Sequence, residues 1–240
     1  MNDSGLTVEL DGAVARVWVD AGPGNLFTPE MTRRLSAILR TPPEGVHLVH
    51  LAAAGPEFCM GRAPFRAGAG PLREDVDALV ELVEAMQRTP AVTVAEVQGD
   101  AAGFGVGLVA LSDVAVAAPD VALSFPEVDA GFAPALVLAW LGDVVGKRMA
   151  FWLAATGVHV SAEEACQLGL ITHVAQEAAG LSEYTASIVE LLCSKPARVH
   201  AQIKELVRIY ASVPEERRGA IATDRLAFGA LQRSLAEEPH

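Results

Sequence analysis

Two glycine-bearing segments about forty residues apart each close a short apolar run: Gly55-Pro56-Glu57-Phe58-Cys59-Met60-Gly61 and Gly99-Asp100-Ala101-Ala102-Gly103-Phe104-Gly105-Val106-Gly107. A third segment, Ser124-Phe125-Pro126-Glu127-Val128, follows the last of these glycines. The first two read as a pair of backbone N–H donors. The second opens a helix, whose free N–H groups and dipole favour negative charge. The third brings one carboxylate. Donors aimed at a developing oxyanion, with one acid/base group beside them, suffice for enolate chemistry on an activated carbonyl.

Competing chemistries fit less well. A dinucleotide-binding loop starting at Gly103 would need glycine or alanine where Leu108 stands, and no GK[ST] follows to make a P-loop. Taken alone, the glycine cluster would equally serve tight strand–helix packing. Cys59, Cys166 and Cys193 form no CxxC pair, and the six histidines show neither HExxH nor HxH spacing, so neither a disulfide framework nor a metal site is expected. His50, His159 and His173 read as structural. Asp129 offers a second carboxylate two residues after Glu127, solvated if the segment is extended. Glu96 interrupts a strand and is expected to be paired or at an edge.

A net charge of −12 argues against a nucleic-acid partner or an anionic membrane surface. An anionic substrate would have to be met by local groups. The pairs Arg33-Arg34, Lys147-Arg148 and Arg217-Arg218 read as solvated helix faces. The longest apolar stretch, Ala101 to Leu111, is too short to span a bilayer. The first five residues show neither a basic n-region nor an apolar h-region, so the expectation is a soluble, cytoplasmic protein.

These segments need a scaffold, and 240 residues, 51% of them apolar, can bury a substantial core. Leu6 to Leu10 and Ala13 to Val19 read as strands split by an Asp11-Gly12 hairpin turn. Thr28-Pro29-Glu30 reads as N-cap, first-turn proline and acidic first turn of a helix through Leu39. Val46 to Ala52, Val92 to Val97, Val114 to Ala117 and Ala122 to Phe125 read as strands. A flexible Ala67-Gly68-Ala69-Gly70-Pro71 link leads into a helix at about 73–88, with Val76, Leu79, Val80, Val83 and Met86 on one face. Ser161 to Glu164 is a capping box opening a helix that ends near Gly169. Leu181 to Cys193, Pro196 to Ala211 and Pro214 to Leu235 are helical. Repeated ββα units thus come first and helices last, with a boundary placed near residue 180: a core over 1–180 and a helical region over 181–240.

The chain resembles the crotonase family, the enoyl-CoA hydratase/isomerase superfamily, from Leu6 to about Ile209. Phe58-Cys59-Met60-Gly61-Arg62-Ala63 is similar to its F-x-A-G-A-D loop, and Pro90 through Gly105 to its K-P-V-I-A-A-V-N-G-x-A-x-G-G-G signature. Phe125-Pro126-Glu127-Val128-Asp129-Ala130-Gly131 resembles its x-P-E-x-x-x-G segment. Thr156-Gly157, Ala162, Ala165 and Gly169-Leu170-Ile171 match a later stretch. Each piece alone is weakly specific; four in order at the right separations are strong.

The resemblance implies an α/β crotonase-like spiral of ββα units with a C-terminal helical trimerisation region, assembled as a homotrimer or dimer of trimers. It implies acyl-CoA substrates, coenzyme A being part of the substrate and no further cofactor or metal being required. The thioester oxygen would lie between the N–H groups of Arg62 and Phe104, with Glu127 as the acid/base. Backbone around Met60, Gly61, Ala63 and Pro64, with Gly103, would bind the substrate. Three departures stand out. The first of the hydratases' two glutamates falls on Gly107, the aspartate after the first loop is Ala63, and the middle glycine of the signature is Phe104, whose bulk beside the thioester is expected to narrow the site or push substrate aside. A lone carboxylate suits an enoyl-CoA isomerase. Hydration, decarboxylation or hydrolysis of a CoA- or carrier-bound acyl group, and acyl-CoA binding without turnover, are the alternatives.

Overall fold

The computed structural model describes residues 5–237. Strand alternation sets its plan. β1 (Leu6–Asp11) and β2 (Val14–Val19) form the expected antiparallel hairpin around Gly12, whose φ of 55° the tight turn requires. α1 (Pro29–Arg40) is capped as expected, the Met31 N–H donating to Thr28 Oγ1 at 3.2 Å, and it buries Met31, Leu35 and Leu39. Three units then repeat one path: β3 (Leu48–Ala53), β4 (Glu57–Cys59) and α2 (Ala69–Arg88); β5 (Val92–Val97), β6 (Asp100–Ala102) and α3 (Phe104–Leu111); β7 (Val114–Ala117), β8 (Ala122–Ser124) and α4 (Ala135–Val145). α5 (Lys147–Thr156), β9 (Val160–Ser161), α6 (Ala162–Leu168), β10 (His173–Val174) and α7 (Leu181–Cys193) follow.

In each repeat the first strand joins a six-stranded sheet ordered β1-β2-β3-β5-β7-β10 and the second joins a smaller sheet ordered β4-β6-β8-β9. Turning that corner three times makes the spiral. From β2 to β10 the large sheet is parallel, so it is covered on both faces. Ala15, Val17, Val49, Leu51, Ala95 and Val97 face the main core; Leu48, Val92 and Val94 face α7 through Val189 and Leu192.

Two boundaries differ from the sequence-based expectation. α2 begins at Ala69, because Pro71 falls in a first turn where its missing N–H costs little, and the expected flexible link becomes that turn. The compact unit runs to Ala197 rather than to about 180. The reason is α7: Leu181 and Thr185 are buried and the Ser182 hydroxyl donates to Glu96 on β5, so this helix belongs to the sheet. From Arg198 a separate unit holds α8 (Ala197–Ser212) and α9 (Glu215–Glu237). The capping box of α6 forms as expected, Ser161 and Glu164 exchanging both bonds. Among the described residues, no helix is long and apolar enough to cross a membrane.

Candidate active site

The two glycine loops are pressed together backbone to backbone. A Cβ on Gly99 would overlap the carbonyl oxygen of Pro56, and one on Gly105 that of Cys59. Only glycine permits this approach, and it holds the residues before β6 and the start of α3 against β4 and the residue before it.

In each loop one backbone N–H stays out of the local hydrogen-bond pattern. Arg62 forms a parallel bridge with Phe27: the Phe27 N–H donates to Gly61 O at 3.0 Å and the Ala63 N–H to Phe27 O at 2.8 Å. In such a bridge the central residue's own N–H points away from its partner, so Arg62 N–H is free of this ladder. On the second loop Gly103, at φ 51° and ψ −112°, turns the chain into α3. Phe104 is the first helical residue, and its N–H has no acceptor within the helix. These two N–H groups belong to Arg62 and Phe104, the residues singled out in the sequence.

Glu127 comes from a 3₁₀ turn, Pro126–Val128, directly after β8. Its carbonyl accepts from the N–H groups of Ala130 at 3.1 Å and Phe132 at 2.9 Å, which fixes the turn. The carboxylate is half-buried, and its Oε2 has no partner among the described residues. Burial pushes its pKa above the ordinary value, against the lowering effects of its own backbone and of the Arg62 charge. A carboxyl so placed suits proton transfer near neutral pH.

Gly107 lies one turn into α3, and a Cβ added there would stand 3.1 Å from Cγ2 of Val137 on α4. A side chain at 107 would thus meet a buried valine at its first carbon. Asp129 does not replace it: this residue is exposed, with Oδ2 beside Gly157. The expectation that Phe104 narrows the site is corrected. The residue is 7% exposed and its ring packs edge-on against Phe27, centroids 5.7 Å apart, so its bulk belongs to the core. The Arg62 guanidinium lies 3.3 Å from the centroid of Phe65 and donates to Ala63 O at 3.2 Å. Met60 and Pro64 are exposed beside it, Ala63 is half-buried, and Gly61 is buried.

The remaining candidates lie elsewhere. His50 Nε2 stands 3.1 Å from Glu96 Oε2 on the sheet face under α7, opposite the main core. His159 is exposed, and His173 packs edge-on with Tyr184. Among the described residues no cluster of His, Cys, Asp and Glu could hold a metal ion. Val137 escaped the sequence reading because nothing in an apolar helix signals which residue faces Gly107.

The family described as Enoyl-CoA hydratase/isomerase matches residues 13–236. A Thermus thermophilus protein, provisionally named an enoyl-CoA hydratase, is 32% identical over 205 residues, which are 82% of this chain and 81% of that one. An enoyl-CoA hydratase from Mycobacterium smegmatis superposes with a TM-score of 0.87 at 26% identity, covering 94% of this chain and 90% of that one. A provisionally named enoyl-CoA hydratase from Thermobifida fusca, solved in complex with acetoacetyl-CoA, superposes with a TM-score of 0.85 at 27% identity, covering 98% and 96%.

Proposed function

From the chain's membership of the enoyl-CoA hydratase/isomerase family, we propose that it acts on acyl-CoA thioesters and that its reaction is the migration of a double bond within the acyl group. The acyl-CoA part of this reading is supported by the two N–H groups left out of the local hydrogen-bond pattern and by the acetoacetyl-CoA held by the Thermobifida fusca relative. The thioester oxygen would accept from Arg62 N–H and Phe104 N–H. Backbone at Met60, Gly61, Ala63, Pro64 and Gly103 would bind the rest of the thioester.

The observation that carries the isomerase assignment is Val137 standing over Gly107. Adding water to a 2-enoyl thioester needs a water that is both held and deprotonated, and one carboxylate must then do both. Isomerisation needs no water. Glu127 breaks a C2–H bond of a 3-enoyl thioester, the double bond moves from C3–C4 to C2–C3 through a dienolate held by the two N–H groups, and the proton returns to C4. Atoms and charge balance without a cofactor. Removing one such oxyanion donor costs about 3–4 kcal/mol of transition-state stabilisation in comparable sites. Hydration, the activity in the relatives' names, is the competing outcome.

The test is a side-by-side assay of purified protein. A 3-enoyl-CoA should be converted at least about tenfold faster than crotonyl-CoA is hydrated, equivalent to about 1.4 kcal/mol in barrier. The reverse ratio would make it a hydratase. We also assign trimer formation to α8 and α9, which expose Ile203, Val207, Leu226 and Phe228; a sedimentation measurement of mass tests this.

A further inference from the structure

Behind the two donor loops, side-chain amides from two separate segments end on one carbonyl oxygen. Asn25 is 2% exposed and, among the described residues, is the sole non-glycine with positive φ, at 45°. Left-handed backbone costs an ordinary residue about 1–2 kcal/mol and is least unfavourable for Asn. The amide of Asn25 is fully engaged. Its Oδ1 accepts from Ala21 N–H at 3.0 Å, and its Nδ2 donates to Ala54 O at 2.7 Å and to Glu57 O at 2.8 Å. It therefore ties the end of β2 to both ends of the β3–β4 connection.

The residues flanking Asn25 are those that hold the first donor. Gly24 O accepts from Met60 N–H at 2.7 Å, and Phe27 makes the two bonds that leave Arg62 N–H out of the ladder. On the other side, Gln98 precedes the loop that carries Phe104. Its Nε2 donates to Gly55 O at 3.2 Å and to the same Glu57 O at 3.0 Å. A carbonyl oxygen has two lone pairs, and here this oxygen of the first donor loop takes one amide from the turn at Asn25 and one from Gln98, the residue before the second loop. Glu57 itself begins β4, which pairs with β6 at Asp100, so the shared oxygen sits at the junction of both loops.

We propose that Asn25 and Gln98 are positioning residues that set the separation of the Arg62 and Phe104 N–H groups through the Glu57 carbonyl oxygen. This rests on the assignment of those two N–H groups as oxyanion donors. An oxyanion hole works when both donors reach one oxygen at about 2.7–3.1 Å, a tolerance finer than ordinary packing enforces. Losing either amide removes one of the ties that set this separation, and a displacement of about 1 Å costs about 10²-fold in rate.

Asn25→Gly keeps the positive φ and removes the amide; Gln98→Met keeps the shape and removes the donors. Wild type, both variants and the double variant are compared by the absorption red-shift of bound cinnamoyl-CoA, which reports polarisation of the thioester carbonyl, together with kcat, KM and CoA affinity. Each single variant should lose most of the red-shift and about 10²-fold in kcat, with CoA affinity within about threefold of wild type. The double variant should lose little more than either single, because both break one bracket. Folded variants with a wild-type red-shift and kcat, or losses confined to melting temperature, overturn the positioning role while leaving the oxyanion assignment standing. A wild-type protein that binds cinnamoyl-CoA with no red-shift overturns both.

Discussion

The Glu127 carboxylate lies against the Cα of Gly103: a methyl group on that glycine would overlap Oε1 and stand 3.0 Å from Cδ. The acid is therefore seated on the residue that turns the chain into α3, one position before the Phe104 N–H. Acid and donor are held by the same few backbone atoms, so the distance a proton must travel and the place where negative charge develops are fixed together.

The first prediction concerns the charge on Glu127. Glu127→Gln should lower turnover by about 10²–10⁴-fold with CoA affinity retained, because the amide cannot accept a proton. In wild type, turnover should fall as pH drops through a pKa above the ordinary glutamate value of about 4.3. The same upward shift has a stability consequence. A carboxyl raised on folding contributes stability while protonated and loses it as pH rises through the folded pKa. Glu127→Gln should thus gain in melting temperature over wild type near neutrality, and the gain should vanish in acid. A variant equally active at pH 7 would move the proton to another group.

Gly103→Ala tests the seat itself. The new methyl meets the far end of a flexible side chain, so Glu127 can swing away at the cost of its position, while the φ of 51° adds about 1–2 kcal/mol of backbone strain. Turnover should fall about 10²-fold, with the protein still folded and still binding CoA. Equal losses in CoA affinity and turnover would show that the glycine serves ligand access instead.

Much of this site is legible in the sequence because its chemistry is local. Glycines that must sit against a foreign carbonyl, a capping Thr28, a capping box at Ser161 and a glutamate after Pro126 all announce themselves through residue type and spacing. What escapes is whatever depends on which layer an element joins. Leu181 to Cys193 has the stripe of any amphipathic helix, and only the Ser182–Glu96 contact reveals that it covers the sheet. Phe104 reads as an obstacle until Phe27, more than seventy residues earlier, is seen to take its ring. Asn25 looks like a loop residue after two glycines, and its reach to Ala54 and Glu57 exists only in three dimensions.

Glu96 gives a prediction independent of activity. Burial raises its carboxyl pKa, yet the hydrogen-bonding His50 and Ser182 outweigh this and hold it below the ordinary carboxylate range. A depressed carboxyl contributes stability above its unfolded pKa of about 4.3 and loses it as pH falls through the folded value. Glu96→Gln should therefore destabilise the protein in urea at pH 7, by less as the pH is lowered below 4. Turnover of the folded variant should be retained, since this pair lies on the sheet face opposite the main core. A pH-independent difference would mean that packing, not charge, is what Glu96 supplies.

The last prediction asks whether the missing carboxylate decides the reaction. Gly107→Glu by itself must displace Val137, whose Cγ2 stands 3.1 Å from the new Cβ. The valine that must yield is 3% exposed, so it moves within a packed core. The single variant should lose stability and gain no hydration. Val137→Ala removes the obstructing methyls at a cost of about 2 kcal/mol in lost burial. Combined with Gly107→Glu, it leaves room for a carboxylate extending from α3 towards the space beside Glu127. Two carboxylates can then hold and deprotonate one water, and the proximity advantage absent from wild type is restored in part. The double variant should hydrate crotonyl-CoA at least about tenfold faster than Val137→Ala alone, or about 1.4 kcal/mol in barrier. Because the two substitutions touch, their effects should be strongly non-additive. Wild-type protein that already hydrates crotonyl-CoA rapidly, and is unchanged by the pair, would show that water is activated without a partner at position 107.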